Sequence, residues 1–220
     1  MPLQIEVYAV RMTYQIKDLD TRSSVWMNAL QISGKSVKKS DTIYLDYAAT
    51  SPLDTRVLEA MMPYLRNEFG NPSSVHSPGR RARHAVDMAR ETVATLLGVE
   101  TGEIVFCSGG TEADNMALLA LREEHMPSRL ITVETEHEAV RRTAHFLSNS
   151  GTDVIFLRPE ITGLVGTDSV EEVLDGRESL VSVMHINNET GVLNPVSDIG
   201  KRVRASGSLF HTDAVQSAEY

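Results

Sequence analysis

The sequence predicts an α/β fold, a mostly parallel sheet with helices on both faces. Short apolar runs recur at 103–108, 129–134, 153–158, 179–186 and 208–213. Helix-period patterns lie between them, at about 112–124, 137–149, 168–175 and 196–206. Strands separated by helices of this length read as parallel-sheet α/β. Continuous apolar strands suit a sheet buried on both faces.

Upstream of the first run, the punctuation predicts two further helices. Asp54 can cap a helix reaching about Phe69, with Val57, Met61 and Tyr64 or Leu65 on one face. Pro63 is expected to kink or shorten it. The stretch GNPSSVHSPG at 70–79 is a loop by composition. Ser77 is the expected cap of a long second helix, with Pro78 at its first position and Gly98 at its end. Ala82, Ala85 or Val86, Ala89, Val93 and Leu96 or Leu97 recur there at helical spacing. Residues 1–41 are polar, mixed and weakly periodic, and read as an extension of unknown role. Met12 and Met27 are internal alternative starts. The main domain is expected over 42–220.

Bulk properties narrow the function classes. The 220 residues are 41% apolar, enough for one sizeable core. The net charge is -9 and the isoelectric point about 5.3, which argues against nucleic acid as the main partner. No apolar run is long enough to predict a membrane span, and charges interrupt the N-terminus where a secretory signal needs an apolar core. Cys107 is the single cysteine, so neither a disulfide framework nor a cysteine-based metal site is expected. No metal is expected, and the default setting is reducing and cytoplasmic.

The chemistry-bearing residues fall just after the apolar runs. SGGTEADNMALLAL (108–121) joins a strand to a helix. Gly109 and Gly110 allow close backbone approach, and the helix start at Thr111 offers free N–H groups and a positive dipole end, a phosphate cradle. A Gly-Gly turn with a threonine cap explains the same residues without a ligand. Asp213 ends a strand, where the crevice of an open α/β sheet lies. A buried carboxylate there can hold a protonated pyridine nitrogen, or cap a helix. His137, after another strand, can stack on a flat ring and move protons, or cap the helix that follows. Asn188 and Gln216 can bond a phenolic oxygen, or belong to ordinary turns. Their joint placement, one after each of several strands, favours the ligand reading.

Six stretches carry a resemblance: IYLDYAATSPLD (43–54), GNPSSVHSPGRRAR (70–83), SGGTEADNMAL (108–118), TEHEAV (135–140), INNETGVLNPV (186–196) and FHTDAVQS (210–217). Together they resemble the class V aminotransferase family of pyridoxal 5′-phosphate (PLP) enzymes, and within it the cysteine desulfurases. The resemblance implies that Gly110 and Thr111 bind the PLP phosphate and that His137 stacks on the ring and assists proton transfer. It implies that Asp213 pairs with the ring nitrogen while Asn188 and Gln216 contact the phenolic oxygen. The implied reaction moves sulfur from L-cysteine, leaving alanine and an enzyme persulfide. Implied recipients are iron–sulfur scaffold or tRNA-thiolation proteins, and the implied assembly is a homodimer. A selenocysteine lyase or another class V aminotransferase is the alternative within the family. A non-catalytic PLP-binding or regulatory chain is the alternative outside catalysis.

The resemblance also implies what this chain lacks. Such enzymes need a Schiff-base lysine some two dozen residues beyond Asp213 and a persulfide-carrying cysteine further on. The lysines here are Lys17, Lys35, Lys38, Lys39 and Lys201. Cys107, expected inside an apolar strand, is expected to be inert. The chain is therefore expected to be inactive alone. The strand 103–108 is expected to lack neighbours, and 211–217 to form an exposed edge.

Overall fold

The computed structural model describes residues 43–217. The expected extension at 1–41, with Lys17, Lys35, Lys38 and Lys39, lies outside the described residues. The fold is α/β with a four-stranded parallel sheet, as the alternating pattern predicts. The strands are β1 (Arg129–Val133), β2 (Asp153–Leu157), β3 (Leu180–Ser182) and β4 (Leu209–His211), in the order β2-β1-β3-β4. Leu130 pairs with Val154 on one side and Leu180 on the other, and Ser182 pairs with His211.

Alternation along the strands divides the core into two layers. Leu130 and Leu180 pack with Leu118, Val140, Ala144 and Leu147. These residues bring α3 (Gly110–Leu119) and α4 (Glu138–Asn149) onto one face. Ile131, Val133, Val181 and Val183 pack with Val170, Ile199 and Val203. That second layer places α5 (Thr167–Glu171) and α6 (Val196–Ala205) on the opposite face. At the N-terminal end of β1, buried Arg129 reaches Asp175 at 2.8 Å and Asp153 at 3.6 Å.

The two leading helices form with adjusted ends. The first, α1 (Thr55–Arg66), is capped by Asp54, whose carboxylate accepts from the Arg56 N–H at 2.8 Å. It ends short of Phe69, where the Asn67 and Glu68 amides both donate to the Pro63 carbonyl. Its apolar face is uncovered: Leu58, Met61, Tyr64 and Leu65 are exposed. The second, α2 (Ser77–Leu97), is capped by His76 rather than Ser77, because His76 Nδ1 accepts the Gly79 N–H at 3.2 Å. Gly98 ends it at φ 68°, a left-handed conformation that glycine adopts without a Cβ penalty.

The expected strand at 103–108 is not a strand. Thr101–Glu103 is a single 3₁₀ turn. Ile104 is buried against Val93 and Ala94, while 104–107 forms neither helix nor strand and joins no sheet. Val105 and Phe106 are 53% and 50% exposed, so this apolar segment has only one covered side. An apolar run becomes a strand only where a ladder partner exists, and none of the described strands lies beside it. The helix expected at 168–175 also stops early, at Glu171, ahead of Gly176 at φ 85°. The run expected at 179–186 keeps strand geometry only over Leu180–Ser182, although its ladder continues as Val183 and His185 amides donate to the His211 and Asp213 carbonyls.

Candidate functional site

In an open parallel sheet, the loops after the strands and the starts of the following helices meet at the C-terminal edge. Here they enclose a cleft of about 790 Å³. Gly110, Thr111, His137, Asn188, Asp213 and Gln216 all line it. Six residues from four separate loops thus share one cavity, and none of the expected site residues lies elsewhere.

The end of the cleft at Gly109 and Gly110 is built by backbone. Gly109 is extended at φ 167°, and α3 starts at Gly110. The amides of Glu112 and Ala113 both donate to the Gly109 carbonyl, so those of Gly110 and Thr111 stand ahead of the ladder at the helix's positive end. Glu112 turns back and accepts the Ser108 N–H at 2.6 Å, a bond that lowers its pKa. A Cβ on Gly110 would lie 2.9 Å from Val215 Cγ2, so a larger residue there would push the helix start from the 213–216 turn.

The other walls are held by buried amides and carboxylates. His137 caps α4, its Nδ1 accepting the Ala139 N–H at 3.1 Å. That bond occupies Nδ1 and leaves Nε2 without a protein partner among the described residues, so the capping role does not consume the second ring nitrogen. Asn187, which is buried, donates to the Thr135 carbonyl at 2.8 Å and accepts the amides of Glu189 and Thr190. It thereby pins the turn that presents Asn188. Gln216 donates from Nε2 to the Ala48 carbonyl at 3.0 Å, drawing the 46–49 segment over the cleft. Asp213 is buried, and its Oδ1 accepts the Val215 N–H at 3.0 Å.

Two buried acids escape the sequence reading. Asp114, on α3, lines the cleft, and burial together with the Asp213 charge pushes its pKa up to about 7. Its Oδ1 is buried and has no hydrogen-bond partner. Glu136 is raised well above the usual carboxylate range by burial, against the lowering effect of the Met184 N–H it accepts at 2.6 Å. Asp213 and Asp114 raise it further. Asp114, His137 and Asp213 place ligand atoms within 4.8 Å of one another. That is the one group among the described residues with spacing that could hold a divalent ion. The signal for Asp114 was its position one turn after Gly110, on the same helix face. Glu136 offered no signal except its adjacency to His137.

The lone thiol and the one described lysine stand apart from this cleft. Cys107 lies on the unpaired segment 104–107 rather than inside a strand, and is half-buried. Burial, then the Glu112 charge, raises its pKa, which disfavours the reactive thiolate. Lys201 is exposed on α6 and bonds Asp198 at 2.8 Å. No helix of the described residues is long and apolar enough to cross a membrane.

A parallel sheet whose post-strand loops bring a helix N-terminus and a buried carboxylate to one cleft is an open α/β domain with its crevice at the C-terminal edge of the strands. The chain belongs to the class V aminotransferase family, whose profile matches residues 43–219. It is 47% identical over 178 residues to "Cysteine desulfurase IscS" of Anaeromyxobacter sp. (strain K), covering 80% of this chain and 44% of that protein. It is 46% identical over 176 residues to "Cysteine desulfurase" of Nostoc sp. (strain PCC 7120 / SAG 25.82 / UTEX 2576), covering 80% and 44%. Among solved structures, "SspA in complex with cysteine" superposes with a TM-score of 0.75 at 40% identity, covering 80% of this chain and 51% of that one. The chain thus spans about half the length of the relatives it matches.

Proposed function

We propose that this chain builds the phosphate and ring-nitrogen walls of a PLP site belonging to a cysteine desulfurase. One observation carries the reading: Thr111, His137, Asn188, Asp213 and Gln216, which come from loops far apart in sequence, line a single cleft. The buried Asp213 carboxylate and the open helix start at Gly110 fit the two ends of a phosphorylated pyridine. PLP, when bound, supplies an electron sink. The chain's own residues do the rest. Gly110 and Thr111 hold the phosphate by backbone N–H and hydroxyl. Asp213 holds the ring nitrogen charged. His137 covers one ring face and offers Nε2 to a transferring proton. Asn188 and Gln216 face the phenolic oxygen.

L-cysteine is the proposed substrate and a sulfur-acceptor protein the proposed partner, with a homodimer as the proposed assembly of the complete enzyme. The reaction itself needs a lysine at the ring and a mobile nucleophilic cysteine. Lys201 is tied to Asp198 on an exposed helix, and Cys107 is held in its thiol form. That pairing favours a second reading for this chain by itself: a non-covalent PLP-binding protein without turnover.

The experiment is a titration of the full chain with PLP, followed by borohydride treatment. The expected result is saturable binding that D213A abolishes, with no covalent trapping. Sulfide release from L-cysteine by the chain with PLP alone would show the no-turnover reading to be wrong. Absence of PLP binding would remove the site assignment.

A further inference from the structure

Four carboxylates line the cleft, on Asp46, Asp114, Glu189 and Asp213. Among the described residues, no lysine or arginine lines it. Asp213 faces the ring nitrogen, and Asp114 is buried. Asp46 and Glu189 are exposed, and neither has been given a part in holding a ligand. Neither joins an ion pair among the described residues, so both stand as unmatched negative charge at the mouth of the cleft.

Hydrogen bonds to the backbone fix where each acid stands. The Glu189 N–H donates to Asn187 Oδ1 at 3.0 Å, which sets residue 189 directly beyond Asn188 in the pinned turn. The Asp46 carbonyl accepts the Tyr44 hydroxyl at 2.7 Å and the Thr50 N–H at 3.4 Å. The Tyr44 ring meets Tyr47 edge-on, with 5.2 Å between centroids. Two residues beyond Asp46, the Ala48 carbonyl accepts from Gln216 Nε2 at 3.0 Å. Each acid is thus anchored beside a residue that faces the phenolic oxygen. On a pyridoxal ring, the phenolic oxygen and the reacting carbon occupy adjacent ring positions. An amino acid joined to that carbon lies along the wall of Asn188 and Gln216, and so beside Glu189 and Asp46.

Like charges repel far more where protein excludes part of the water than across bulk solvent. An acidic substrate side chain would enter this wall beside two carboxylates, with no lysine or arginine lining it to offset them. An uncharged side chain meets no such barrier. We propose that Asp46 and Glu189 are specificity-determining residues, which make the substrate end of the cleft admit amino acids with uncharged side chains and reject those with acidic ones. This rests on the reading that a phosphorylated pyridine occupies the cleft, and it names the substrate class of that site. The discrimination comes from repelling the wrong ligand rather than from gripping the right one more tightly.

The test uses the full chain and phosphopyridoxyl amino acids, in which a stable secondary amine joins the amino acid to the ring and no lysine is needed. Pyridoxine 5′-phosphate, which carries no amino acid, is the reference ligand. The asparagine and aspartate conjugates are nearly equal in size and differ by one charge. In calorimetry at neutral pH and low salt, the wild-type chain is expected to bind the asparagine conjugate about tenfold more tightly than the aspartate conjugate, and the ratio is expected to shrink as salt is raised. In the double variant Asp46→Asn, Glu189→Gln, the ratio is expected to fall close to one. Equal wild-type affinities overturn the proposal, and so does a preference that the double variant retains. Binding of pyridoxine 5′-phosphate without either conjugate would show that size rather than charge closes the substrate end, which overturns it as well. In each of these cases the cleft assignment stands. If the wild-type chain binds no pyridoxine 5′-phosphate, the cleft assignment fails and the proposal with it.

Discussion

The Met184 amide donates to Glu136 Oε1 at 2.6 Å, and both residues are buried. This bond ties the loop after β1 to the end of β3, the two elements that carry His137 and Asn188. It is a local bond with a long reach in sequence, and it sets the spacing of two cleft walls.

Glu136→Gln is therefore expected to keep the fold and to stabilise it as pH rises. The folded-state pKa of Glu136 is raised. A raised acid binds its proton more tightly folded than unfolded, so its contribution is present at low pH and is lost as pH rises above the ordinary carboxylate value. Glutamine retains the acceptor for Met184 N–H and removes that loss. Glu136→Ala strands the Met184 N–H and opens a cavity, at a cost of about 1–3 kcal/mol. Urea unfolding at pH 5 and pH 8 checks both. Equal pH slopes for wild type and Gln would contradict the assignment.

Asn187 holds the turn that presents Asn188, through two donated and two accepted side-chain bonds. Asn187→Ala is expected to destabilise by roughly 2 kcal/mol, since several backbone groups lose their partner. It is also expected to weaken pyridoxine 5′-phosphate binding although Asn187 does not line the cleft. Asn188→Ala is expected to weaken binding alone. Comparing the two by thermal unfolding and by calorimetry separates the holder from the presenter.

Much of this arrangement was legible in the sequence, for reasons that differ by element. The cap of α1 and the end of α2 follow from Asp54 and Gly98 because capping is a contact between near neighbours. The cap at His76 is not legible, because serine is the commoner choice, whereas here the imidazole Nδ1 accepts the Gly79 N–H. The site residues after the strands were visible because a parallel sheet gathers its C-terminal loops in one place. Asp114 and Glu136 were not, since burial of a polar residue is decided by distant chain, here β3 and β4. The segment 103–108 misled for the same reason: its composition is that of a strand, but pairing is not encoded in the run itself.

Gly110 meets Val215 across the cradle, and this contact predicts a rescue. A Cβ at Gly110 would lie 2.9 Å from Val215 Cγ2. Gly110→Ala is expected to displace the start of α3 from the 213–216 turn and to cut pyridoxine 5′-phosphate affinity about tenfold, roughly 1.4 kcal/mol. Val215→Ala alone is expected to be mild. The double variant is expected to recover most of the affinity, because the clash needs both side chains. Additive losses in the double variant would mean that Gly110 matters through backbone freedom instead.

The last expectation concerns surface, not the cleft. Ile43, Leu45, Leu65, Phe69, Leu96, Val105 and Phe106 are all at least half exposed. Single exposed apolar residues are normal, but this set falls on α1, on the end of α2 and on extended segments with no sheet partner. Parallel strand β4 also lies at the edge of the sheet, with Leu209 and Phe210 half-buried. An uncovered apolar surface beside an unpaired edge favours association. The full chain is expected to sediment as an associated species at micromolar concentration. Replacing Val105 and Phe106 with lysine is expected to lower that association without touching the cleft, since neither lines it. Sedimentation velocity checks this: a monomeric wild-type chain with a cooperative unfolding transition would show that those side chains cost it nothing in water.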